Sequence, residues 1–63
     1  MNYYHLKTIE LIETIGIKPK KIAEILGKST SLVYHKIKSF QYHRFNRNDF
    51  ELIFEHIKKN TTI

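Results

Sequence analysis

Along the first fifteen residues, Tyr4, Thr8, Leu11, Ile12 and Ile15 return at the i, i+4, i+7, i+8, i+11 spacing of a buried helical stripe. Ile9 flanks that stripe and Leu6 lies nearer the opposite face. The pattern predicts a first helix from about Asn2 to Thr14, stopped by Gly16. A second short stripe, Ile22, Ala23 and Leu26, follows Pro19, whose missing N–H suits the first position of a helix. Val33 and Ile37, one turn apart, mark a third helix from about Thr30 to Ser39, with Lys36 and Lys38 near its end, where cations complement the helix dipole. Residues 39–45, SFQYHRF, follow neither period. They read as a loop with Phe40 and Phe45 tucked inward, a short strand or wing being the alternative. A last helix carries Phe50, Ile53, Phe54 and Ile57 on one face. Its start is marked by Asn46 and Asp49, spaced as an acidic capping box, with Phe45 and Phe50 in the positions of a hydrophobic staple. Lys58 and Lys59 favour its end, Asn60 can close it, and Thr61 to Ile63 read as a loose tail.

The most specific stretch is residues 20–39, KKIAEILGKSTSLVYHKIKS. Two short helices joined through a glycine turn form a helix-turn-helix, the unit whose second helix enters the DNA major groove. Each position meets a physical demand. Ala23 is small enough for the second helix of the pair to cross close to the first. Gly27 takes the left-handed conformation that ends a helix cheaply. Ser29 offers a hydroxyl to cap the next helix. Val33 and Ile37 point inward and fix the angle between the two.

The spacing of Ala23, Gly27, Ser29, Ser31, Val33 and Ile37 resembles the helix-turn-helix of small phage Cro-like transcriptional repressors. It is also similar to a segment of some insertion-sequence transposases that reads like LGRSPSTVSREI. The likeness covers about a third of the chain directly and the following helix more loosely. The chain departs from the pattern at two places. Lys28 stands where an apolar residue usually follows the glycine, and the second inward residue comes four after Val33 rather than three.

Composition narrows the class further. Sixty-three residues hold one domain with one small core, and without cysteine there is neither a disulfide nor a thiolate metal site. Such a chain relies on compact helix packing or on a partner subunit. No apolar run approaches the roughly 20 residues of a bilayer span, and Glu10 and Glu13 interrupt any signal-peptide layout. A cytoplasmic protein without a membrane partner is the expectation. Lys, Asn, Ile, Tyr and Phe are abundant and alanine occurs once, as in AT-rich coding sequences of low-GC bacteria and their phages.

The net charge of +5 is unevenly placed. Residues 18–47 carry eight Lys and Arg against one acid, Glu24, a net of +7. The remainder carries three bases against five acids, a net of −2. The basic excess surrounds the third helix, which suits a polyanion whose counterions are released on binding.

With Val33 and Ile37 inward, the third helix exposes Ser29, Thr30, Ser31, Tyr34, His35 and Lys38. The resemblance to Cro-like repressors implies that these six face the groove and read base edges. Hydroxyls can hydrogen-bond bases or phosphates, and a Thr methyl can touch a thymine methyl. Without Arg, Asn or Gln on this face, the strongest bidentate base contacts are missing, so modest specificity per half-site is expected. Lys18, Lys20, Lys21 and Lys28 surround the start of the second helix and the turn. With Arg44 and Arg47 from the loop, they are the expected phosphate contacts.

His5, His35, His43 and His56 form no recognisable ligand pattern, and no nucleophile turn or phosphate-cradling glycine loop occurs. No enzyme, cofactor, metal or small-molecule substrate is therefore expected. The expectation is an all-α, compact four-to-five-helix domain spanning residues 1–63. It binds double-stranded DNA sequence-specifically as a phage or mobile-element repressor that occludes a promoter, as a homodimer on a near-palindromic site. Leu6, Leu52 and Ile63 are the residues available for a two-fold interface. Two other roles stay open: an accessory factor for recombination or excision, and a helix-turn-helix protein that grips a host protein.

Overall fold

In a computed structural model, which describes residues 2–60, the chain is all-helical and packs into a small globule. Its helices are α1 (Tyr3–Ile15), α2 (Pro19–Leu26), α3 (Thr30–Ile37) and α4 (Arg47–Asn60). No strand forms among the described residues, so the wing alternative for residues 39–45 does not arise. The expected closure by Asn60 and the tail from Thr61 to Ile63 lie outside the described side chains and residues.

The helix ends follow from local chemistry. Asn2 caps α1, its Oδ1 accepting from the amides of Tyr4 at 2.8 Å and His5 at 3.2 Å. Pro19 opens α2 and Lys18 supplies no side-chain cap. Ser29 caps α3, its Oγ accepting from the Leu32 amide. The expected capping box is complete at α4. The Asp49 amide donates to Asn46 Oδ1 at 2.9 Å, and the Asn46 amide donates back to Asp49 Oδ2 at 3.1 Å.

Gly27 takes φ +67° and closes a Schellman motif, with its own amide bonded to the Glu24 carbonyl and the Lys28 amide to that of Ala23. α3 ends in the same motif without glycine. The Ser39 amide donates to the Lys36 carbonyl at 3.1 Å and the Phe40 amide to that of His35 at 2.9 Å, with Ser39 at φ +54°. The third helix therefore stops at Ile37, two residues before the predicted end. No glycine signals this stop, so periodicity alone overran it.

α2 packs against both α3 and α4, and α1 packs against α4. Ile12, Ile22, Ala23, Leu26, Val33, Phe45 and Ile53 form the buried core, with Ile37 and Ile57 packed against it. Three corrections to the predicted stripes follow. In α1 the buried positions are His5, Thr8 and Ile12, while Tyr4 and Leu11 are half-buried and Ile15 is exposed. The buried side of α1 is thus rotated toward His5. In the connection from α3 to α4, Phe45 is fully buried but Phe40 is 51% exposed. In α4, Phe54 is exposed at the edge of its stripe. The paired phenylalanines of the expected staple also face different neighbours. Phe45 stacks on His5 at 5.7 Å, whereas Phe50 meets Tyr4 and Phe54.

Candidate nucleic-acid interface

α3 is held from two positions. Val33 is wholly buried. Lys36, three residues further along, occupies the inward position that the sequence pattern left without an apolar residue. Its Nζ donates to Asp49 Oδ2 at 2.8 Å and lies 5.7 Å from the centre of the Phe45 ring. The two side chains of this pair are 12% and 4% exposed, so the ion pair belongs to the interior rather than the surface. Lys36 thus fixes α3 against the start of α4, beyond the dipole role read from sequence. The same Asp49 oxygen accepts from the Asn46 amide, which couples the cap of α4 to the placement of α3.

The connection after α3 is held from α1. His5 is 1% exposed. The Phe45 amide donates to its Nδ1 at 3.1 Å, which leaves the other ring nitrogen, Nε2, to carry the proton. Nε2 then donates to Ser39 Oγ at 2.7 Å. Burial, and secondarily the nearby Arg44 charge, hold the His5 pKa below its ordinary value, which favours the neutral ring. Sequence reasoning treated His5 only as a metal ligand without partners. Its i, i+3, i+7 relation to Thr8 and Ile12 was the available signal that it faces inward.

The six expected base-reading residues, Ser29, Thr30, Ser31, Tyr34, His35 and Lys38, are all exposed. Thr30, Ser31, Tyr34, His35 and Lys38 follow i, i+1, i+4, i+5, i+8 spacing and so share one side of the helix and its C-terminal cap. Ser29 is partly engaged by its cap bond. Tyr34 is 47% exposed. His35 is not isolated on this face. Its ring lies 5.3 Å from that of Phe40 and 5.2 Å from that of His43.

Among the six expected phosphate contacts, Lys18, Lys20, Lys21, Lys28 and Arg47 are exposed. Lys21 lies 3.8 Å from Glu24, a loose surface pair, and Arg47 Nε donates to Glu51 at 3.0 Å. That hydrogen bond raises the Arg47 pKa further above its already high value. Arg44 is half-buried and has an internal task. Its Nη1 donates to the carbonyls of Ser39, Gln41 and His43 at 3.0, 3.0 and 2.8 Å. It braces the turn, an internal role beyond the phosphate contact expected from the sequence.

Two other features bear on partners. Leu6 and Leu52 are exposed, as their positions predicted, and Ile63 lies outside the described residues. Between α1 and α4 an open groove of about 420 Å³ is lined by Tyr3, Tyr4, Leu11, Phe50 and Phe54, with Lys7 and Glu10 at its side. Among the described residues no cluster of His, Cys, Asp or Glu is arranged to hold a metal ion, and no helix is long and apolar enough to cross a membrane. No protein-family model, curated protein or solved structure matches the chain.

Proposed function

We propose that this protein is a double-stranded-DNA-binding transcriptional regulator, a small repressor resembling the phage Cro-like type that acts by occluding a promoter. The observation that carries the reading is the exposed side of α3 in a segment without acids. Residues 25–48 contain no Asp or Glu, and of the two acids that border them, Asp49 is buried against Lys36 and Glu24 lies on α2 beside Lys21. A polyanion can approach α3 and its flanks without meeting negative charge from this segment. In this reading α3 lies in the major groove, with Tyr34, His35 and Lys38 reading bases beside the Ser29–Ser31 hydroxyls. Lys18, Lys20, Lys21 and Lys28 hold phosphates at the start of α2 and the turn, and Arg47 adds a contact from α4. The protein works in the cytoplasm without catalysis or cofactor, as a homodimer on a near-palindromic operator.

The test separates positioning from reading. Duplexes are enriched from a random pool, and the best site and a scrambled duplex are titrated at several salt concentrations. Lys20→Ala or Lys21→Ala should weaken binding to both by a similar factor and reduce the salt slope by about 1. Tyr34→Ala and His35→Ala should cost on the order of 1–3 kcal/mol on the best site and much less on the scrambled duplex, at nearly constant slope. If neither substitution changed the specificity ratio, α3 would not be the reading helix. The groove between α1 and α4 favours a second reading, in which the domain grips a host protein. Binding to that protein would persist at high salt while duplex binding stayed weak. Recombination or excision accessory activity is a third role, in which footprints fall on element ends instead of promoters.

A further inference from the structure

The turn after α3 is more constrained than a connection requires. Ser39 and Gln41 both sit at positive φ, +54° and +52°, although neither is glycine. Their conformation is held from several directions. His5 bonds Ser39 Oγ, Arg44 Nη1 bonds three carbonyls of the turn, and the His43 amide bonds the Phe40 carbonyl at 3.0 Å. Rings that the sequence had expected inside, or had not considered, are the result at the surface. Tyr42 is 82% exposed and stacks on His43 at 4.7 Å. His43 and Phe40 each approach His35 on α3, so the four rings continue the exposed side of that helix.

We propose that the turn at residues 39–43 is a second DNA-contact element, with Tyr42 as an apolar wedge against a base step of the duplex beside the site taken by α3. The proposal rests on the reading of α3 as the DNA-facing helix. Charge selects the occupant. The turn lies within the acid-free segment, between Lys38 and Arg44, and a duplex is the partner whose charge complements that setting. Apolar side chains that enter a base step must first unstack it, and a ring braced from behind loses less freedom in doing so. Pyrimidine–purine steps unstack most easily, so the wedge would favour sites with such a step at a fixed offset from the bases read by α3.

The probe is a set of duplexes enriched from a random pool, with 2-aminopurine placed at successive adenines. The parent protein should raise the fluorescence at one flanking step. Tyr42→Ala should abolish that rise and weaken binding about tenfold, with the salt slope unchanged. Tyr42→Phe should keep both. Because Tyr42 is so exposed, all three proteins should share one thermal midpoint, which excludes misfolding as the cause. Equal affinity and fluorescence for the parent and Tyr42→Ala would overturn the wedge and leave the reading of α3 intact. A parent that binds tightly without any fluorescence rise would do the same. A parent that binds no duplex at all would overturn both.

Discussion

The ion pair between Lys36 and Asp49 is where the placement of α3 is most open to attack. At 2.8 Å and an effective dielectric of about 20, the charges attract by about 6 kcal/mol, an amount that the desolvation of two nearly buried ions largely cancels. The intact pair is therefore worth little in net stability. Removing one partner is different, because it strands the other charge. Lys36→Met leaves a buried carboxylate, and Asp49→Asn leaves a buried ammonium while keeping an oxygen that can accept from the Asn46 amide. Each single substitution should cost about 3–5 kcal/mol. A domain of this size holds roughly 3–9 kcal/mol in total, so either variant would be close to unfolding. With a urea slope of about 1 kcal/mol/M, the midpoint should fall by about 3 M or more. The double variant strands no charge and should recover most of the loss. Urea titrations followed by circular dichroism at 222 nm measure all four corners of the cycle. If the double variant lost the sum of the two single losses, the residues would not be coupled and the proposed anchor of α3 would be wrong. Once folding is accounted for, Lys36→Met should leave duplex affinity nearly unchanged, because its ammonium faces Asp49.

Two further predictions address the core and the turn. Ala23 is 5% exposed in the core where α2 packs on α3 and α4, so Ala23→Leu should overpack it at a cost of about 1–3 kcal/mol, and an unchanged thermal midpoint would refute the close crossing. His5 has its pKa lowered in the folded state, so below about pH 6.5 the unfolded chain binds the proton more readily. Its contribution to stability is full above that pH and is lost as pH falls toward the lowered folded value. In His5→Asn, the fall in urea midpoint between pH 7.5 and 5.5 should be smaller than in the parent, and an equal fall would mean that His5 is not the titrating group.

Most of the helical framework was legible in the sequence because its signals are local. Gly16, Gly27, Pro19, Ser29 and the Asn46–Asp49 pair each act within a few residues, and they marked helix ends that the structure reproduces closely. The exposure of Thr30, Ser31, Tyr34, His35 and Lys38 was equally legible, because it follows from the inward spacing of Val33 and Ile37 on a regular helix. What only the tertiary structure decided are the polar contacts between segments far apart in the chain. His5 meets Phe45 and Ser39 across the fold, and Lys36 turns inward because Asp49 is there to receive it. Local periodicity scores a histidine or a lysine as surface, since the partner that makes burial tolerable is invisible to it. The same holds for the turn at 39–43. Its left-handed residues are serine and glutamine rather than glycine, and the bonds from His5 and Arg44, added to those within the turn, hold that backbone and leave Phe40 and Tyr42 outside.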